Sequence, residues 1–510
     1  MPSQRKAGAA LGYANIVVKN VVNLLYTPML LAFVGQGEYG VYQTTYQFVL
    51  TLQLLSFGFS GAYVRFYTQR KAAGDEAGVR ALNGMYLVLY LAICAIAVIV
   101  GLVFSGLCAA IFGDSFTTVE VDLAQILMAI MTFNVAATLL STVFDGYIVA
   151  HERFTFQQTR QMFTTLATPG LALALLACGM GAVGVAVAQL AVSLVLLALN
   201  ARYAVGRLGM RFSVRHPDKR LFFALAAFSA WLFANQITDL MSMSLPSVVL
   251  GAVSGAAVAA VFAIAVQLRT LFYAVSTALS NVFVPLVNRI VATSDDNGEL
   301  TRLMARVGRY QALLYCWVLG GFVLLGRWFV RVWAGEAYAD AYWLTLAMAV
   351  PLTVPLIQNV GIEIQKAKNR HKARSVTYLV CSLLNLALTY FLAPRLGYWA
   401  PAIGFSSYVV VATWLFMNWY YHCRIGLDMV FFWRRVLPVL AVCAGATAVC
   451  CAGAALLPVD GLAAFLGWGA AYSALYAALA WLFALDEGER AGVRKALAKV
   501  MKMGKGRGTK

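Results

Sequence analysis

The sequence predicts an all-α polytopic membrane protein of about fourteen transmembrane helices, built as two pseudo-symmetric six-helix lobes with two further C-terminal helices. Three observations carry that expectation: a large excess of apolar residues, apolar runs of bilayer length, and basic charge confined to alternate loops.

Hydrophobic residues make up 62% of the 510-residue chain and charged residues 12%, and the mean hydropathy is +0.76. Soluble domains carry about 25% charged residues, so this surface needs lipid as its solvent. Inside a bilayer the backbone must satisfy itself in helices or a closed barrel. The apolar runs last roughly 20–30 residues rather than alternating over ten, which selects helices.

Helices are expected at 8–34, 38–66, 83–107, 121–148, 160–178, 180–204, 221–250, 255–288, 308–330, 341–366, 374–393, 398–421, 435–457 and 461–485. The first lobe then covers 1–220 and the second 221–434. Two appended helices cover 435–485, and a basic tail covers 486–510. The segment Gly8 to Val34 is too long for the apolar part of a signal peptide and reads as a retained first helix. In the tail, Asp486 and Glu489 suit a helix N-terminus, and the basic residues after Arg490 suit an interfacial helix. The nine cysteines show no metal spacing and read as small packing residues.

With a cytoplasmic N-terminus, the loops expected inside hold nearly all of the 39 Lys and Arg residues. The exceptions are Arg327, Arg331 and Arg395 in outer loops and Lys19 and Arg269 within helices. The outer loops carry Glu38, Asp114, Glu120, Asp122, Glu336, Asp340 and Asp460. This is the positive-inside pattern, so the net charge of +18 sets orientation and attracts anionic membrane lipids; it does not indicate nucleic acid.

An internal repeat supports the two lobes. Pro28 and Gly37 share the spacing of Pro246 and Gly255, 218 positions later, and the same offset carries Asp145 onto Glu363. Related halves are common in transporters.

Charges at membrane depth cost several kcal/mol on insertion scales, so each needs a reason. Asn15, Lys19, Asn23 and Tyr26 recur on one face of the first helix, with Lys19 about 16 Å into it, near mid-bilayer. Asn235 and Asp239 are one turn apart in the seventh helix; Gln267, Arg269 and Tyr273 lie within the eighth. Asn134, Thr138, Ser141 and Asp145 stripe the fourth. Two readings stand side by side. Lys19 and Asp239 could bridge and clamp the lobes, or Lys19 and Arg269 could face a wet cavity and replace the hydration of a pyrophosphate or acidic sugar. Asp145 and Glu363 lie near the inner ends of their helices, close to Arg153 and Lys366, where they serve either as interfacial pairs or in ion coupling. Arg65 is either an interface anchor or a substrate contact.

The stretch Tyr13-Ala14-Asn15, Lys19-Asn20, Leu24-Leu25-Tyr26-Thr27-Pro28 and Gly35-Gln36-Gly37-Glu38-Tyr39-Gly40-Val41-Tyr42 resembles the start of polysaccharide-biosynthesis flippases. These belong to the multidrug/oligosaccharidyl-lipid/polysaccharide exporter superfamily. Asp239 before Pro246 and Gly251, with a long eighth helix ending at Pro285, resembles the same family's second-lobe entry. The resemblance implies a multi-pass protein of the bacterial inner membrane with both termini cytoplasmic. It would flip an undecaprenyl-pyrophosphate-linked oligosaccharide to the outer leaflet by alternating access, coupled to H⁺ or Na⁺ and without a bound cofactor or metal. It also implies polysaccharide polymerase and glycosyltransferase partners and a product such as O-antigen, lipopolysaccharide or exopolysaccharide. Lys19, Arg269, Asn15, Asn23, Tyr26, Asn235, Tyr273 and Arg65 would then line the substrate cavity, with Asp239, Asp145 and Glu363 balancing charge or sensing the ion.

Three other functions compete. A cation-coupled multidrug antiporter would want an acidic residue where Lys19 stands. A lipid II flippase shares the chemistry and differs in its deletion phenotype. A membrane glycosyltransferase or polymerase would want acidic or Arg-bearing residues in a substantial outer loop, and no outer loop is expected to exceed about fifteen residues. The four histidines fall in inner loops or helix ends, suggesting no acid–base or zinc cluster. No phosphate-cradling Gly-rich loop is present.

Overall fold

In α1, Pro2–Val34, the chain stays helical until Gly35, whose φ of 76° and ψ of 173° lie in a region that only glycine enters without strain. The same turn recurs at Gly255 (92°, 169°), Gly335 (101°, 164°) and Gly461 (93°, 166°). Each joins an odd-numbered span to the next even one, so all four lie at the same ends of their helices. By backbone conformation the repeat partner of Gly255 is Gly35, not the Gly37 expected from spacing, because Gly37 already lies within the next helix.

The computed structural model describes residues 2–56, 59–213, 233, 236–280, 283–492 and 494. The further spans are α2 Gln36–Ala72, α3 Glu76–Gly106, α4 Thr118–Ala150, α5 Phe154–Ala177, α6 Gly181–Arg207, α7 Gln236–Ser254 and α8 Ala256–Ser280. They continue as α9 Asn297–Ala334, α10 Glu336–Ile357, α11 Lys372–Leu396, α12 Trp399–Ile425, α13 Met429–Leu456 and α14 Leu462–Ala484. No described residue is in a strand. Thirteen of these fourteen are long and apolar enough to cross a membrane; the exception is α5. That helix is studded with Gln157, Gln158, Arg160, Gln161, Thr164, Thr165 and Thr168.

Several boundaries differ from expectation for local reasons. Side-chain caps start helices early: Asp75 accepts from the Gly78 amide at 2.7 Å, and Asp296 accepts from the Gly298 amide at 2.7 Å. The second cap starts α9 at Asn297, eleven residues before the expected 308. Thr117 and Glu120 form a reciprocal capping box at α4. The eighth helix ends before Pro285, which instead occupies the first turn of a short helix, Val284–Thr293, where its missing N–H costs nothing. The tenth breaks at Gln358 into a separate short helix, Asn359–Ala367. The seventh helix, expected from 221, is described from 236 only.

Packing divides the chain into two compact units, Met1–Ala265 with Ser375–Tyr408, and Val266–Arg374 with Val409–Lys510. This partition does not coincide with the expected boundary at 220: the segments 236–265 and 375–408 go with the first unit. In the first unit α1 packs along α5, α4 lies against α3 and α6, and α7 against α2. In the second, α9 packs on α13, α10 and α14.

The motif Gly37-Glu38-Tyr39-Gly40 has a structural use in the first unit. The Glu38 carboxylate accepts the Ala182 amide, placing negative charge at the N-terminus of α6. A Cβ on Gly40 would come within 1.8 Å of the Ala256 carbonyl oxygen, so glycine permits the α2–α8 approach. In the tail, residues 487–492 are helical; the basic stretch expected beyond 494 lies outside the described residues.

Candidate functional site

The first unit holds a cavity of about 670 Å³ among α1, α2, α4, α5 and α6. Lys19, Asn23 and Tyr26 enter it from α1, and Thr138, Ser141 and Asp145 from α4. α5 contributes Arg160, Gln161, Thr164, Thr165 and Thr168, while α6 contributes Gln189 and Asn200.

The helical periodicity explains this lining. Residues three and four apart share a face, so the stripes on α1 and α4 each point into one space. α5 presents Gln161, Thr165 and Thr168 in the same way. The polarity that keeps α5 from qualifying as an apolar span therefore faces the cavity rather than lipid.

A hydrogen-bonded network fixes its walls. Arg160 Nη1 lies 2.8 Å from Asp145 Oδ1 and donates to Asn200 Oδ1 at 2.7 Å. Asn200 Nδ2 donates onward to Ser141 Oγ at 2.8 Å. Deeper in, Gln189 Nε2 donates to the Tyr42 hydroxyl at 2.7 Å. Arg160 and Asp145 neutralise one another. Lys19 is exposed, and among the described residues it has no carboxylate partner. The cavity thus carries one surplus positive charge beside a field of hydroxyls and amides.

Lys19 lies one turn beyond Asn15, which meets Gln158 near the start of α5. Asp145 lies about 8 Å from the C-terminal end of α4, and Arg160 about 9 Å from the N-terminal end of α5. Given the alternating direction of the spans, these ends lie on the same side. The charged groups form a ring near one mouth, with hydroxyl and amide groups beyond it.

Not every expected residue joins this site. Asn15 is buried and donates through Nδ2 to the Gln158 carbonyl and Gln158 Oε1, both at 2.8 Å. It clamps α1 to α5 instead of lining the cavity, since it lies one turn below Lys19 where the two helices touch. Asp239 is exposed and lines a second, smaller polar cavity of about 280 Å³ with Gln53, Ser56 and Gln236. Lys19 and Asp239 line different cavities, so the expected bridge is not formed. Asp145 takes Arg160, not Arg153, as its partner. Glu363 pairs with Lys366 at 2.8 Å one turn along, on the short helix after the break at Gln358. Arg65 is exposed on α2. Asn235 lies outside the described residues.

Arg269 belongs to the second unit. It is 3% exposed, and its Nη1 lies 3.6 Å from the Met348 sulfur of α10. It is packed, not open, in this conformation, contrary to a wet-cavity placement. Tyr273, one turn on, is half-buried.

Arg160 and Asn200 were missed by sequence reasoning. A fifth helix starting at 160 leaves Arg160 at the membrane surface; its actual start at Phe154 draws Arg160 nearly two turns inward. The signal available was the Gln- and Thr-rich run itself, polar at helical spacing inside an otherwise apolar chain.

A family model described as "Polysaccharide biosynthesis protein" matches residues 30–343. Among solved structures the chain is similar to a lipid II flippase, MurJ, in an inward closed conformation. That match has a TM-score of 0.71 and 13% identity, covering 93% of this chain and 97% of the other. It is also similar to an inward-facing multidrug resistance MATE family transporter of the MOP superfamily, with TM-score 0.66, 15% identity, and coverage of 80% and 94%. A MOP superfamily transporter from Pyrococcus furiosus, titled for the reverse polarity of its binding pocket, gives 0.54, 15%, 80% and 94%. These likenesses show the transporter fold. No curated protein sequence matches the chain.

Proposed function

The chain belongs to the polysaccharide biosynthesis protein family, and from that premise we propose that it flips an undecaprenyl-pyrophosphate-linked oligosaccharide from the cytoplasmic to the outer leaflet of the bacterial inner membrane. One observation carries the reading: Lys19, exposed in a polar cavity and near its mouth, has no carboxylate partner among the described residues. A carrier lipid brings its pyrophosphate in from headgroup level, past the helix ends near which Asp145 and Arg160 stand, about 8–9 Å in. Fixed cations there replace water around the phosphates. The hydroxyls and amides of Thr138, Thr164, Gln161 and Gln189 suit sugar hydroxyls beyond it.

In this proposal both termini are cytoplasmic, two six-helix lobes alternate access, and H⁺ or Na⁺ drives the cycle through Asp145, Asp239 or Glu363. Arg269 and Tyr273 join the path in another state of that cycle. The protein moves its cargo without covalent chemistry and delivers it to a polymerase after glycosyltransferases have built it.

The test is a deletion strain complemented with Lys19→Ala or Lys19→Arg at equal membrane levels. Surface polymer should fall about tenfold with alanine and largely recover with arginine, while lipid-linked oligosaccharide accumulates. Full export by the alanine variant refutes the cavity as the path. Accumulation of lipid II instead assigns the peptidoglycan precursor as cargo.

A further inference from the structure

A second basic cavity, of about 510 Å³, lies in the second unit between the start of α9, the start of α13 and the tail. It is lined by Arg302, Arg306, Arg309 and Arg435 with Asp486 and Glu489. Two of the four guanidiniums are committed. Arg309, 4% exposed, donates Nε to Glu489 Oε1 at 3.0 Å and Nη2 to Glu489 Oε2 at 2.7 Å. Its remaining donors meet the Arg435 and Ala484 carbonyls. Arg435 meets Asp486 at 2.9 Å.

The other two are in surplus. Arg302 reaches only Asp296, at 3.8 Å, and Arg306 is exposed with no carboxylate partner among the described residues. They are four residues apart and so stand on one helical face. α9 is 38 residues long, about 57 Å, against a hydrocarbon core of about 30 Å. Its first turns therefore project into the headgroup zone, at the end where basic residues concentrate.

Tyr310 borders this cavity and also an apolar groove of about 510 Å³ that runs up the same helix. Leu313, Leu314 and Trp317 of α9 face Tyr476 and Ala477 of α14 along it. The Trp317 indole donates to Ser473 Oγ at 3.1 Å and the Tyr476 hydroxyl to the Leu313 carbonyl at 2.8 Å, so the groove walls are fixed. Leu314 and Trp317 are each 41% exposed.

An arginine pocket at headgroup level continuous with an apolar channel at acyl level has the shape and charge of one ligand class. We infer that this cleft binds an anionic glycerophospholipid, with its phosphate between Arg302 and Arg306 and an acyl chain along Leu314 and Trp317. A bound lipid of this kind ties the tail clamp, α9 and α14 together and makes the second unit sensitive to the anionic content of its leaflet. This goes beyond the cargo pathway and does not depend on it.

The experiment uses the full-length protein, delipidated in detergent, and native mass spectrometry with four probes: phosphatidylglycerol, phosphatidylethanolamine, a polyprenyl phosphate and inorganic phosphate. Phosphatidylglycerol should bind at least tenfold better than phosphatidylethanolamine. The double variant Arg302→Gln/Arg306→Gln should lose that tenfold preference, and Leu314→Glu should weaken binding with the arginines intact. Arg331→Gln, at the opposite end of α9, should change nothing, and an unchanged unfolding midpoint verifies each fold. Undiminished phosphatidylglycerol binding by the folded double variant overturns the inference. Preference for the polyprenyl phosphate, or equal competition by inorganic phosphate, assigns another source of phosphate and also overturns it.

Discussion

Arg160 of α5 and Asp145 of α4 form an ion pair of 2.8 Å on the wall of the polar cavity. Their side chains are 15% and 30% exposed, so water only partly screens them. The pair holds α4 and α5 in register beside Lys19 and keeps the cavity's net charge at one surplus cation.

Breaking that pair leaves an uncompensated, half-buried charge. Asp145→Asn should destabilise the protein by about 2 kcal/mol, the cost of orphaning a buried charge discounted for partial exposure. The double variant Asp145→Asn/Arg160→Gln should recover part of the loss. Thermal unfolding in detergent measures both; additive losses would show that the two side chains do not act as a pair.

Glycine at the recurrent turn is required by backbone conformation. Gly35→Ala and Gly255→Ala should each cost about 1–3 kcal/mol, because an alanine at φ of 76° or 92° is strained however much space surrounds it. Gly37→Ala, in a helix with only the Glu120 carboxylate nearby at 3.2 Å, should cost far less. Denaturation midpoints of the three variants check the ranking.

Gly40→Ala should be worse than any of these. Its Cβ would approach the Ala256 carbonyl oxygen to 1.8 Å, and the backbone has to move to relieve it. Membrane yield of folded protein should drop several-fold, while Gly106→Ala, with open space around it, should express normally.

The tail clamp depends on pH. Burial opposes the charge on Glu489, but hydrogen bonds from Arg309 and the Asp486 amide, with the charges of Arg309 and Arg435, hold its carboxyl below the ordinary value. A depressed carboxylate contributes stability that is complete above the ordinary carboxylate range and lost as pH falls through the depressed value. Arg302, Arg306, Arg435, Tyr310 and Asp486 line the same cavity. Hydrogen exchange of residues 487–492 should therefore accelerate as pH falls below the ordinary carboxylate range, after correction for intrinsic rates. Glu489→Gln should exchange fast at neutral pH and lose the acid dependence.

The stripe on α1 was readable because Lys19, Asn23 and Tyr26 obey helical spacing, and so were Thr138, Ser141 and Asp145 on α4. Spacing along one helix states which residues share a face and nothing about what that face meets. Asn15 shares the stripe and is nevertheless consumed by Gln158 across the α1–α5 contact. Glu363 fits the repeat offset from Asp145 and ends on a short helix beyond a break. Arg160 leaves no such signal, because the apolar pattern begins at 160, six residues after the actual start of α5 at Phe154, and a charge at a helix end raises no question.

From sequence alone came the membrane environment and the approximate number of spans, because each depends on quantities summed over many residues: hydropathy and run length. Tertiary structure alone decided which charges meet. Asp145 chose Arg160 over Arg153, Lys19 and Asp239 went to separate cavities, and Arg309 found Glu489 at a distance of 180 residues in the chain. Pairings of this kind follow from helix rotation and packing, which are set by close contact between whole surfaces and leave no periodic trace in the order of residues.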